Sequence, residues 1–447
     1  MLLDSFNLLS GKAFTYAHLF SSALMLKGLI VGLLVSLLAA FYPAIALSSF
    51  EPVKVLKGKL STSSKGTKLR SGLVILQFTI SAIMIAGSLI IFTQVEYMKD
   101  KDLGFDSDAV IALNVPRDVS AEEQVDISKW RAVQTRLNAL NGVKSSALSS
   151  AVPGDQVNQF TYYLEEDPQN RVDASYTMID FGYEELMGME LVDGRNFDRS
   201  FKLDSNHNVH INETMAQALG GDVIGKNLVI DRSSWKAVHT VTAVVKDFHF
   251  QSLHKEIRPL VLEVFPRGTS NLLVKLDGTA FQTTIAKIES IYDEMIESEL
   301  PFEYQFLDQS MAQLYQKEEK TLSIFSIFSG IALVLASLGL LGMAMAILNQ
   351  RLKEVGIRKI LGASSGQILG MVLSQFLKLI GVALMIGLPL SYLLMENWMQ
   401  EFSYRPAFSL QPFILSGLVL LIVAVISVST AIIRIAFSNP VNVLRYE

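Results

Sequence analysis

Residues 321–350 read TLSIFSIFSGIALVLASLGLLGMAMAILNQ, thirty positions without one Asp, Glu, Lys or Arg. A helix needs about 20 apolar residues to cross the hydrocarbon core of a bilayer, and a buried soluble helix seldom extends so far without charge. Similar runs recur along the chain, and that at 367–395 is interrupted only by Lys378. The fold class expected is therefore a membrane α-helical protein with five transmembrane helices, at 28–50, 71–95, 321–348, 367–395 and 411–434.

The composition excludes several classes of function. Half of the 447 residues are hydrophobic and only 18% are charged, where about a quarter is usual for soluble domains. The absence of cysteine excludes disulfide frameworks, thiolate metal sites and cysteine nucleophiles. A net charge of −5 argues against nucleic acid as a partner.

Charges beside the predicted spans orient the chain in the membrane. The segment 51–70 carries six basic residues against one acidic residue, and 351–359 carries four against one. The positive-inside rule places both segments in the cytoplasm and 396–405 outside. Residues 96–320 then lie outside, with 37 acidic and 22 basic side chains and a net charge of −15. This division predicts a multi-pass protein of the bacterial inner membrane with a large domain in the periplasm.

The outer segment has the mixed pattern of an extracytoplasmic α+β domain. β-Branched and aromatic runs predict strands at 110–115, 160–165, 174–180, 227–232, 238–245, 260–265, 271–276 and 302–306. Helical spacing predicts helices at 121–140, 182–188, 212–219, 278–298 and 309–320. We expect the last of these to continue without a break into the third span.

A short pattern recurs at the cytoplasmic ends of the first and last spans. Residues 52–57 read PVKVLK and residues 440–445 read PVNVLR, and proline suits the point where a helix ends. The repeat predicts a duplicated unit, in which 71–447 is one whole copy and 1–58 is the tail of a preceding one. Residues 1–27 would then be the extracytoplasmic end of that unit, and the gene would continue upstream with three further spans and a second outer domain.

Two motifs suggest enzymatic chemistry but have simpler explanations. Residues 220–227 have the spacing of a P-loop, yet Asn227 stands where Ser or Thr must bind Mg²⁺. Gly220 and Gly221 are expected to end a helix instead. Residues 362–366 fit G-x-S-x-G, but a basic helix precedes them and a span follows, so a serine there is expected to cap the span.

Histidines and acid pairs give no better candidate. His207 and His210 are spaced as H-x-x-H in a segment that resembles loop and strand, where this spacing does not place both side chains on one face. The adjacent Glu184 and Glu185 are expected to be solvated. We predict no catalytic, cofactor-binding or metal-binding residue, and no enzyme activity.

The segment with the strongest functional signal is 350–364, QRLKEVGIRKILGAS. In a helix, Glu354 and Arg358 share one face, and an acid four residues before a base is the favourable order for an ion pair. One alternative is a basic helix that anchors the chain to anionic lipid. Two features favour a protein partner: the single acid within a basic run, and Gly356, which weakens a helix and permits close approach.

Four motifs together resemble one family. They are EVGIRKILGAS at 354–364, the P-V-x-V-L-[K/R] helix ends, VVKDFHFQSLH at 244–254 and NETMAQALG at 212–220. The chain resembles the MacB/FtsX-type ABC transporter permeases, and in particular the C-terminal part of a doubled, large permease.

The resemblance implies a domain plan and a coupling site. Residues 51–70 would be a basic cytoplasmic linker, 96–320 a MacB-like periplasmic core domain and 321–447 an FtsX-like permease domain. Contact with a separate ABC ATPase, which would bind the ATP, would be made by six residues: Arg351, Lys353, Glu354, Gly356, Arg358 and Lys359.

By the same resemblance, the ATPase would move the spans and the periplasmic domain (mechanotransmission), with efflux as the expected outcome. The alternative is a non-transporting regulator of a cell-envelope hydrolase or sensor. Membrane lipid, a second copy of the chain, the missing half of a doubled permease and a periplasmic adaptor are left open as further partners.

Overall fold

The computed structural model describes residues 3–4, 7, 13–48, 64–115, 127–205, 207–232, 235–278, 280–296, 301–350, 354, 357–358, 361–362 and 364–436. The chain divides into two compact units. The helical unit consists of Met1–Glu96, Lys317–Gln400 and Pro406–Glu447, and the α+β unit of Tyr97–Gln316 and Glu401–Arg405. The repeated segments 52–57 and 440–445 lie outside the described residues.

Apart from short helical pieces, the described residues of the helical unit form one short helix and five long ones. They are α1 (Tyr16–Leu19), α2 (Ser22–Ser48), α3 (Ser64–Asp100), α9 (Gln316–Gln350), α10 (Ser365–Met399) and α11 (Gln411–Ala436). Within the described part of the chain, four of these are long and apolar enough to cross a membrane, over Lys68–Asp100, Gln316–Leu348, Gly370–Met399 and Gln411–Ile432. Helix α3 begins inside the segment expected to be a linker.

The fifth predicted span, 28–50, stays a prediction. Helix α2 covers most of it, but the part with described side chains, Ser22–Leu37, is shorter than a span. Large apolar side chains such as Leu29 and Leu33 are exposed there. Four candidate spans are therefore what the structure supports.

Small side chains let the spanning helices approach one another. Ala82, Ala336, Ala383 and Ala424 are fully buried in one apolar cluster. At Gly387 a Cβ atom would lie 3.0 Å from the Cβ of Ala82. Lipid tails are as apolar as the helices, so close packing of small residues holds such a bundle together.

In the α+β unit the strands are β1 (Val110–Asn114), β2 (Val143–Ser149), β3 (Asn158–Leu164), β4 (Asp167–Ile179), β5 (Leu191–Gly194), β6 (Asn208–Asn212), β7 (Asn227–Arg232), β8 (Trp235–Val245), β9 (Leu260–Val264), β10 (Asn271–Leu276) and β11 (Tyr304–Phe306). All eight predicted strands are present. Three further strands, β2, β5 and β6, were not predicted, because small or polar residues obscure their alternation.

Six of these strands close into a ring. The pairing runs β4–β3–β7–β8–β6–β9 and returns to β4, where Thr177 pairs with Leu262 in a parallel ladder. Apolar residues from the ring, including Ile211, Leu228 and Val241, form one core cluster. Helix α6 (Glu213–Ala218) adds Met215 to this cluster.

A second layer is built from strands β11–β1–β10–β2. Helices α4 (Ile127–Asn138) and α7 (Phe281–Met295) pack together on it, and Trp130 and Ile288 are buried beneath them. A single bridge from Ser149 to Ile179 joins this layer to the ring.

The expectation of one continuous helix from residue 309 into the third span was wrong. Helix α8 (Leu307–Gln313) ends, and α9 begins at Gln316. The amide groups of Leu314 and Tyr315 each bond to the carbonyl three residues back, which tightens the last turn and ends the helix. Glu318 and Glu319 in the first turn of α9 favour a new start, because acidic groups stabilise helix N-termini.

Candidate functional site

Two of the six residues predicted to contact an ATPase can be described. Glu354 and Arg358 lie in short helical pieces that follow α9, whereas Arg351, Lys353, Gly356 and Lys359 lie outside the described residues.

Arg358 makes two contacts. Its Nη2 donates to Oε1 of Glu354 at 2.8 Å, with side chains 51% and 43% exposed respectively. Its Nη1 donates to Sδ of Met371 at 3.2 Å, and Met371 belongs to helix α10. A planar guanidinium can make such contacts in two directions at once. Arg358 therefore ties the charged segment to a spanning helix while leaving half of the ion pair open to solvent.

Two exposed apolar residues lie beside this pair. Ile357 is 55% exposed and Leu361 is 80% exposed, and the Leu361 amide bonds to the Ile357 carbonyl at 3.0 Å. One helical turn therefore places both on the same side. Neither residue is among the six predicted to contact an ATPase, although their spacing of four is a sequence signal that could have identified them. Apolar side chains next to a half-exposed ion pair are typical of a protein-binding surface.

The segment ends in a sharp turn followed by a capped helix. Gly362 has a φ of +93°, a conformation that glycine adopts without steric cost. Ser364 Oγ then accepts from the Gln367 amide, and Gln367 Oε1 accepts from the Ser364 amide. This reciprocal pair is a capping box. The prediction that a serine here caps the span is confirmed, and the serine is Ser364.

The P-loop-like segment ends a helix, as predicted. Gly220 and Gly221 have φ values of +104° and +93°. The Gly221 amide bonds to the Ala216 carbonyl at 2.9 Å, which closes the end of helix α6 in the manner of a glycine C-cap. The lysine of the motif, Lys226, is paired with Glu166 at 2.7 Å.

His210 has a different role from that considered in the sequence. It is fully buried, and its Nδ1 lies 2.6 Å from Oε1 of Glu184. Its ring stacks on Phe197 with centroids 3.5 Å apart. The expectation that Glu184 is solvated was wrong, because the short helix α5 (Tyr183–Leu186) turns it toward the interior. Within the described ranges, no three His, Asp or Glu residues are placed to hold a metal ion.

The α+β unit also contains a buried carboxylate with a strongly shifted pKa. Burial of Asp204 raises its pKa, but the bonds from Arg195, the Asp198 amide and Asn208 outweigh this and lower the pKa to about 2. Arg195 holds both carboxylate oxygens at 2.6 Å. Bidentate, charge-assisted bonds of this kind are the strong ones. We interpret this network as a structural anchor of the loop before β6.

Among the described residues, four candidate membrane-spanning helices and a large α+β unit are typical of a multi-pass membrane protein. Residues 326–440 match the FtsX-like permease C-terminal family. This match confirms the predicted resemblance to MacB/FtsX-type ABC transporter permeases over residues 326–440. No curated protein shows significant similarity to the chain.

Three solved structures similar to the chain each align with less than half of it. The periplasmic region of MacB from Actinobacillus actinomycetemcomitans is 14% identical, over 46% of this chain and 93% of that one, with a TM-score of 0.33. A domain of a putative permease from Porphyromonas gingivalis is 18% identical, over 45% and 90%, with a TM-score of 0.32. The extracellular domain of the ABC-type transporter YknZ from Gram-positive bacteria is 18% identical, over 44% and 98%, with a TM-score of 0.30.

Proposed function

We propose that this chain is the permease and mechanotransmission subunit of an ABC transporter. A separate ATPase binds and hydrolyses ATP, and the resulting movement passes through the chain to a periplasmic domain, for export. The observation that carries this proposal is Arg358, which bonds at once to Glu354 on the charged segment and to Met371 on a spanning helix.

The energetics of the ion pair support a role in binding rather than in folding. An exposed pair four residues apart in a helix contributes only about 0.3–0.5 kcal/mol. The Glu354–Arg358 pair is half exposed, so its effect on folding is of that size. A partner that covers both charges together with Ile357 and Leu361 would remove water from the charges and thereby increase their contribution to binding.

Lipid anchoring is the competing explanation for a basic helix in this position. A helix that anchors to anionic lipid presents an uninterrupted basic face. Here Glu354 neutralises Arg358 at 2.8 Å, which weakens attraction to an anionic surface. The pair is better suited to a partner that offers charges of both signs.

The proposal assigns places to the remaining parts of the chain. Residues 51–70 form a basic cytoplasmic linker, 96–320 the periplasmic core domain and 321–447 the permease domain, in the bacterial inner membrane. Of the six coupling residues, Glu354 and Arg358 are described in the structure, and the proposal extends the same contact to Arg351, Lys353, Gly356 and Lys359.

The test is purification of the full chain in mild detergent together with the proteins that bind it. We expect an ABC ATPase to come with it, and we expect its hydrolysis rate to depend on the chain. Reversing one charge, as Glu354→Arg or Arg358→Glu, should lower the stimulated hydrolysis at least tenfold while expression and membrane insertion are unchanged.

The matched control is Arg136→Glu. Arg136 forms an equally exposed ion pair with Glu294 at 2.8 Å, in the α+β unit, so its loss should leave hydrolysis unaltered. Stimulation that is the same in both charge-reversal variants as in the wild type contradicts the assignment of the site. Purification without any ATPase contradicts the proposed function itself.

A further inference from the structure

The five residues Glu401–Arg405 occupy an unexpected position. Along the chain they belong to the connection between helices α10 and α11, yet they are part of the α+β unit. Their contacts are with the loop 248–258, which leads from strand β8 to strand β9 of the ring. Both ends of this loop are therefore fixed to ring strands.

Hydrogen bonds hold the segment by its centre. Ser403 Oγ donates to the His254 carbonyl at 3.0 Å, and the Ser403 amide points to the same oxygen at 3.4 Å. The Ile257 amide donates to the hydroxyl oxygen of Tyr404 at 3.3 Å. The bonds thus run in both directions, and all three involve backbone groups on the loop.

Two aromatic contacts flank these bonds. The Phe402 ring lies against the His254 ring, with centroids 4.4 Å apart and 27° between planes. The His249 ring meets the Tyr404 ring edge-on at 4.6 Å. Phe402 and His249 are both buried. Buried rings in these geometries are usual for specific packing and unusual for a chance surface contact.

We propose that Phe402, Ser403 and Tyr404 form a clasp on the loop 248–258, through which displacement of helices α10 and α11 reaches the α+β unit. This inference rests on the proposed function. The clasp belongs to a different part of the chain from α3 and α9, the two helices that lead directly into and out of the α+β unit, although Lys101, the residue after α3, lies over the Tyr404 ring with its Nζ 5.8 Å from the centroid. Because the loop joins two ring strands, displacement of the clasp acts on the ring rather than on a mobile end.

The experiment follows amide hydrogen exchange in the full chain with its ATPase in nanodiscs, with and without ATP and vanadate. The conservative variant is Tyr404→Phe, which removes only the hydroxyl that accepts from Ile257. Phe402→Leu removes the ring but keeps an apolar side chain. The matched control is Phe408→Leu, an exposed ring of the same connection.

Without nucleotide, loss of one hydrogen bond should speed exchange at Ile257 about fivefold in Tyr404→Phe, and Phe408→Leu should not change it. With ATP and vanadate, the wild-type complex should change its exchange at both 354–362 and 248–258. The combined Phe402→Leu, Tyr404→Phe variant should keep the first response and lose the second.

The outcomes separate the two claims. A combined variant that retains the full response at 248–258 overturns the clasp as a route of coupling and leaves the proposed function intact. A wild-type complex without a response at either segment overturns the proposed function, and with it the coupling.

Discussion

Replacement of Asp204 by Asn should remove a stabilising charge from the α+β unit. The carboxylate is buried, accepts two bonds at 2.6 Å from Arg195 and accepts a third from the Asp198 amide at 2.8 Å. Its pKa is lowered from 3.8 to about 2. Since one pKa unit corresponds to about 1.4 kcal/mol, the carboxylate stabilises the folded unit by roughly 2 kcal/mol at neutral pH.

The sign of the pH dependence follows from the direction of the shift. A carboxyl group with a lowered pKa in the folded state contributes its full stability above the unfolded pKa, here 3.8. That contribution is lost as the pH falls through the folded value of about 2. The difference in free energy of unfolding between wild type and Asp204→Asn should therefore be constant near pH 7 and shrink toward zero as the pH falls to about 2.

The assay is urea unfolding of the full chain in detergent, followed by tryptophan fluorescence. Trp130 is buried in the α+β unit, and Trp398→Phe removes the tryptophan of the helical unit, so the signal reports on the α+β unit. Asp198→Asn is the control, because Asp198 lies in the same loop but is exposed. Equal stability of wild type and Asp204→Asn at pH 7, or a difference that persists unchanged at pH 2, would refute this reasoning.

Two further predictions concern the two units separately. Gly387→Ala should lower the free energy of unfolding of the helical unit by about 1–3 kcal/mol, because the new Cβ would lie 3.0 Å from the Cβ of Ala82. Gly381→Ala is the control, since a Cβ there meets no atom within 4 Å. Thermal melting followed by circular dichroism in nanodiscs measures the effect, and equal melting of the two variants would contradict the prediction. Burial and the nearby Lys101 lower the pKa of His249 below 6.5, so Lys101→Ala should raise it, as measured by histidine C2-hydrogen exchange. Because the folded form favours the neutral ring, this group makes the α+β unit less stable as the pH falls through 6.5, and an unchanged pKa in Lys101→Ala would contradict this.

Most strands could be predicted because β-branched and aromatic residues are concentrated in them, as in β7 and β8. Strand β2, VKSSALS, could not, because serine and alanine give no such pattern even where they are buried. Strand β6 is buried at all five positions, and the burial of its polar residues depends on partners such as Glu184, which is 26 positions distant from His210. Such pairs are a property of the tertiary structure alone.

In the candidate site, too, some contacts follow from local spacing in the sequence and others depend on the tertiary structure. The spacing of Glu354 and Arg358 was sufficient to predict their ion pair, since neighbours one helical turn apart are fixed by local geometry. The bond from Arg358 to Met371 joins residues 13 positions apart on different elements, so local spacing could not predict it. The role of the six residues in ATPase contact stays a prediction.

Closure of the strand ring has a mechanical consequence. Strand β4 is bonded along one edge to β3 and along the other to β9, and Ser175 pairs with Leu260, which lies 85 positions further along the chain. A strand held on both sides cannot be peeled away one hydrogen bond at a time, as an edge strand can. Force applied at the β8–β9 loop must strain several strand pairings together. We therefore expect the ring to rotate or shift as a rigid body before any one strand detaches.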